Sequence, residues 1–247
     1  MKKKMHMYCI VAIIPAITLF FISCPVMAEV RTADAISMVD YIDTVPPIIM
    51  KEPLLELLGQ TGQPIPYTFK ETVKISGHAC GAVAGAWIIT RKALEALYPS
   101  TLPVRGQIKV TMPGAEDEWL IGVFGQVIAN ITGAAPKTGF PGGELGSAFN
   151  RRNLMMYTDE PKGTPPTKML WIFERTDTGA KVTIRYDLSM IKPPATPERG
   201  ELGARAARSL ADAEEMKDWQ EYWNARVKFL FDNADTLPGF FTVKKLR

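Results

Sequence analysis

The sequence predicts an α+β domain built on a mixed sheet, with an α-β-α-β(3)-like core and a long C-terminal helix. Three observations carry this. An apolar run from Cys80 to Leu97 repeats at intervals of three and four. Short alternating segments recur at 106–112, 168–175 and 180–188. A long amphipathic stretch at 202–231 approaches the end of the chain.

The chain has 247 residues and opens on Lys2, Lys3 and Lys4, with no acid before Glu29. Tyr8 to Ile22 is almost wholly apolar, and Val26-Met27-Ala28 is a small-x-small cleavage pattern. Together these predict a secretory signal peptide cut after Ala28, and an exported, periplasmic protein. Pro15 and the shortness of the apolar run argue against a stable membrane span. Phe21-Ile22-Ser23-Cys24 departs from a lipobox, because Phe stands where Leu is usual, so lipid on Cys24 is the lesser expectation.

The full chain carries 29 basic and 26 acidic residues. Loss of the three leader lysines leaves 26 of each, and a neutral chain has no field to draw phosphates. No nucleic-acid partner is expected. His6, Cys9 and Cys24 leave with the leader, so residues 29–247 keep one histidine and one cysteine, His78 and Cys80. A lone thiol in an oxidising compartment is buried, metal-bound or used.

From Glu29, residues 32–41 read as a short helix, broken at Pro46-Pro47. A second helix is expected over Glu52–Leu58, stopped by Gly59 and Gly62. Phe69 to Ile75 alternates and reads as a strand turning at Ser76-Gly77. A helix follows from Cys80 and ends at Pro99, its small residues Ala82, Ala84, Gly85 and Ala86 suited to close approach. A strand at 106–112 turns at Pro113-Gly114, and a helix over 120–131 closes at Gly133. Residues 133–150, with Gly139, Gly142, Gly143 and Gly146, read either as a mobile surface loop or as a ligand-binding loop. Strands are expected at 153–157, 168–175 and 180–188, the last two joined by Thr176-Asp177-Thr178-Gly179. After a proline-rich linker at 191–197 comes the long helix, with Trp219, Tyr222 and Trp223 as a packing face or a dimer contact. The organisation expected is a signal over 1–28, an α+β domain over 29–195 and a helical arm over 196–247.

Gly77-His78-Ala79-Cys80-Gly81 is the stretch with chemistry. Cys80 falls at a helix N-terminus, where free N–H groups favour an anion and therefore a thiolate. His78 points the same way as Cys80 if the dipeptide is extended. Imidazole with thiolate suits zinc or a similar divalent metal, and the same pair suits a thiol nucleophile with a base. Two ligands need company from carboxylate, water, backbone or a second subunit, and Glu144 and Asp159 are the candidate carboxylates. The third reading is a non-catalytic interaction module.

This stretch resembles the FmdE-like family, named for a component of formylmethanofuran dehydrogenase, whose Gly-His-x-Cys-Pro-Gly run leads into a helix with spaced glycines. The likeness covers roughly 70–190. A second signature, Thr-Gly-Cys-Thr followed by Gly-Lys-Gly-Asn-Leu, is matched in part by Thr132-Gly133-Ala134-Ala135 and Asn150-Arg151-Arg152-Asn153-Leu154. Gly81 replaces the family proline, Ala134 the second cysteine and Gln126 an acidic position, so only His78 and Cys80 carry over. The resemblance implies a core like the glyceraldehyde phosphate dehydrogenase catalytic domain, a metal at the His–Cys motif, an unidentified small-molecule ligand and a homodimer.

Overall fold

A computed structural model of the chain describes residues 39–118, 120–158 and 168–246. The expected signal peptide and most of the helix at 32–41 lie outside them; helix α1 is seen at Asp40–Thr44. Strand β1 (Ile48–Met50) and β2 (Ile65–Tyr67) form a small antiparallel ladder not expected from the sequence. Between them lies α2 (Pro53–Leu57), whose N-cap Glu52 accepts from the Leu54 amide.

Phe69–Ser76 is a helix, α3, and not the strand its alternation suggested. The reason is a capping box: Thr68 Oγ1 accepts from the Glu71 amide, and Glu71 Oε2 accepts from the Thr68 amide. Phe69, Thr72 and Val73 are its buried residues, at helical spacing. Gly77 ends it with φ of 76°, a left-handed cap that favours glycine.

Helix α4 (Gly81–Leu97) is buried on nearly every face and touches helices and sheet alike. Its small residues explain how. A Cβ on Gly85 would stand 2.7 Å from the Tyr186 ring, so only glycine lets the helix seat there. Strand β3 (Ile108–Thr111) is followed by α5 (Ile121–Thr132), closed at left-handed Gly133. The loop over 133–150 holds two 3-10 turns, Gly143–Leu145 and Ser147–Phe149.

Strands β4 (Met155–Met156), β5 (Lys168–Arg175) and β6 (Lys181–Asp187) follow. The long helix expected at 202–231 is two helices, α6 (Pro197–Ala207) and α7 (Ala213–Asn233). Ser209 at φ 58° breaks the run. Asp212 restarts it as a capping box with Glu215. A last strand, β7 (Phe241–Leu246), was not expected; it pairs with β6 and completes the sheet.

The sheet order is β4-β3-β5-β6-β7, with β3 and β4 parallel and the other pairs antiparallel. The fold is thus α+β with a mixed sheet. Alternate residues Met169, Trp171 and Phe173 of β5, and Val182, Ile184 and Tyr186 of β6, are buried in one core with Val83, Trp87 and Phe124. Full burial of each large side chain contributes roughly 1.5–3 kcal/mol.

Candidate functional site

The Gly77–Gly81 stretch is a corner between two helices, α3 and α4. His78 is exposed, and its Nδ1 lies 3.2 Å from the Ser76 carbonyl oxygen. A carbonyl only accepts, so this bond assigns a proton to Nδ1 and turns Nε2 to other use. Trp223 of α7 donates its indole N–H to the Ala79 carbonyl at 2.8 Å, pinning the corner to the C-terminal helix. His78, Trp219, Gln220, Trp223 and Asn224 wall a shallow pocket of about 310 Å3.

Cys80 is the N-cap of α4, with extended φ −146° and ψ 176°. Its carbonyl takes the first helical bond, from the Ala84 amide at 2.9 Å. Its side chain makes no capping hydrogen bond, so the sulfur is not spent on the helix amides. Cys80 is 9% exposed and belongs to the core cluster. The buried Tyr186 hydroxyl donates to the Gly81 carbonyl at 3.5 Å. Burial pushes that phenol's pKa far up; Arg226 opposes this and Cys80 adds to it. Tyr186 is therefore a hydrogen-bond donor at neutral pH. Arg226 donates to the Pro193 carbonyl beside it.

The corner thus holds one imidazole at the surface and one thiol at the edge of the core. Of the other two expected ligands, the described residues include Glu144 alone, and it does not join them. Glu144 is exposed in the first 3-10 turn of the glycine-rich loop, and Asp159 lies outside the described residues. Among the described residues no three His, Cys, Asp or Glu side chains gather to hold a metal ion. The donors at the corner are His78 and Cys80, too few for a closed four-ligand site.

Sequence reasoning did not find Tyr186, Arg226 or the Trp223 bond, because only tertiary packing brings them to the corner. Tyr186 reaches Gly81 across 105 positions and Trp223 reaches Ala79 across 144. It also did not find a buried ionic cluster, in which Glu52 accepts from Arg105 at 2.8 Å and Arg151 at 2.9 Å. A wider cavity of about 670 Å3 has the Tyr41, Trp87, Tyr98 and Phe231 side chains in its walls; four of its charged lining residues are already paired, Arg91 with Asp235 and Lys228 with Asp232. No family model matches the chain, and no curated protein matches it as a relative.

Proposed function

We propose that this is an exported metal-dependent binding protein, in which His78 and Cys80 hold zinc or a similar ion and leave its remaining positions to a small ligand or a second copy. The observation that carries the reading is the placement of Cys80. It is the one cysteine among the described residues, it sits at the start of a 17-residue helix with its sulfur unengaged, and it lies two residues from a histidine whose Nε2 is free of the Ser76 bond. Likeness to the Gly-His-x-Cys run of the FmdE-like family supports the same pair. When bound, the ion supplies Lewis acidity at an open position; His78 and Cys80 orient it, and Trp223 keeps the corner rigid through Ala79.

The test is cobalt(II) substitution of protein purified without a histidine tag. A thiolate-to-cobalt absorption band is expected, lost in Cys80→Ser and weakened at least tenfold in affinity in His78→Ala. The second variant should keep its stability within about 0.5 kcal/mol, since His78 is exposed. Metal content unchanged in both variants overturns the reading.

A further inference from the structure

A second site stands apart from the His–Cys corner and does not depend on it. Glu52 is 3% exposed and Arg151 7%. Glu52 Oε1 accepts from Arg151 Nη2, and Oε2 accepts from Arg105 Nη1. One carboxylate therefore faces two guanidiniums. Arg105 also donates from Nε to the Ile131 carbonyl and from Nη2 to the Asn130 carbonyl, at the C-terminal end of α5. That end carries about −0.5 of a charge. Against a formal +1 left by the ion cluster, about half a positive charge remains uncompensated beside an Arg151 side chain that is 8% exposed.

Of the five N–H groups on Arg151, the one given to Glu52 is the only one engaged among the described residues. Beside the two arginines lies a cavity of about 260 Å3, with Leu54, Ala129, Ala134 and Phe140 in its walls. Two left-handed glycines make room for the Arg151 guanidinium. A Cβ on Gly106 would fall 1.1 Å from Arg151 Nη1, and one on Gly133 would fall 3.3 Å from the same atom. The backbone amides nearby are committed: Ala134 donates to Thr132 Oγ1 and Ala135 to the Arg151 carbonyl. An occupant would therefore be held by guanidinium groups and not by a backbone nest.

We propose that this cavity binds the carboxylate of a small monocarboxylic acid with a short apolar body. The carboxylate would lie against the unused N–H groups of Arg151 and Arg105, a planar match that guanidinium makes in pairs of bonds. The apolar walls would take the chain, and the volume admits only a few atoms beyond the headgroup. The excess of about half a charge is offset more closely by one negative charge than by a dianionic phosphate. Burial also draws the Arg151 pKa down from its ordinary value; Glu52 opposes this and Arg105 adds to it. A bound anion would relieve that strain.

The experiment is an NMR titration of the protein in chloride-free buffer, following the amides of Ala134 and Ala135. Butyrate should give saturable shifts, and 1-butanol none. Affinity should fall at least tenfold in Arg151→Gln and in Ala129→Leu. The second variant fills the cavity and leaves the ion cluster untouched, so it serves if the first fails to fold. Absence of saturable butyrate shifts in the folded protein, or an unchanged dissociation constant in Ala129→Leu, overturns the proposal. Saturation by 1-butanol or tighter binding of phosphate overturns the carboxylate assignment.

Discussion

Two clusters in this protein share one charge pattern, and their carboxylates have opposite surroundings. In each, a single carboxylate is held by two cations. Glu52 takes Arg105 at 2.8 Å and Arg151 at 2.9 Å, with its side chain 3% exposed. Asp235 takes Arg91 at 2.8 Å and Lys92 at 2.5 Å, with its side chain 56% exposed. The distances do not separate them; the medium does. At a separation of 4 Å two unit charges interact by about 1 kcal/mol in water and about 4 kcal/mol at the effective dielectric near a protein surface. Burial raises the stake further, because each ion there has also given up its hydration. Contact distances alone would rate the two clusters alike, while removal of one partner should not.

The largest effect is expected from Glu52→Ala. It leaves two guanidiniums facing one another without their carboxylate and takes the N-cap from α2. Breaking a buried pair in this way costs roughly 3–5 kcal/mol. Urea unfolding should show a lower midpoint at unchanged slope. A loss under about 1 kcal/mol would mean that the cluster is solvated in the folded protein, and the contrast with Asp235 would collapse.

Gly106→Ala comes next. It changes no charge, yet its Cβ would strike Arg151 Nη1, and φ of 84° disfavours any side chain there. A cost of about 2 kcal/mol is expected, within the range for strained or overpacked sites. The double variant with Arg151→Gln should cost less than the sum of the single changes, because removal of the guanidinium removes the clash. Simple additivity would show that Gly106 matters only for its backbone angle.

The two candidate sites differ in how far they could be read before the fold was known. His78 and Cys80 are neighbours in sequence, so a motif finds them. Glu52, Arg105 and Arg151 meet across separations of 53 and 99 residues, and each alone looks like an ordinary surface charge. The α+β class, helices α4 and α5, and strands β3, β5 and β6 were legible because their apolar periods match their burial. The misreadings have local causes. Phe69, Val73 and Ile75 alternate, but the Thr68–Glu71 capping box settles a helix there and Ile75 is left exposed. The stretch from 202 to 231 keeps a helical period across its break, while Asp212 starts a new helix by accepting from the Glu214 and Glu215 amides at 2.9 Å. In β7 only Phe241 is buried, so the strand has almost no apolar period to read and owes its existence to the edge that β6 offers.

The smallest effect, and the sharpest complement to Glu52, is expected from Asp235→Asn. Burial raises the Asp235 pKa, but hydrogen bonds from Lys92 and Arg91 outweigh it and hold the group below its ordinary 3.8. A carboxylate with a depressed folded pKa contributes stability that is present above the unfolded value and lost as pH falls through the folded one. The variant should therefore trail the natural protein at pH 7 and draw level with it only in acid, below 3.8. Exposure limits the gap to under about 1 kcal/mol, and the tie between α4 and the C-terminal end of α7 should weaken further in salt. Thermal unfolding at pH 7 and pH 2.5, each with and without 0.5 M salt (about a 4 Å screening length), measures both dependences. Glu52→Ala should show a smaller salt response, because the carboxylate it removes is 3% exposed and its Arg151 partner 8%. Equal salt sensitivity in the two variants would show that burial does not divide the clusters.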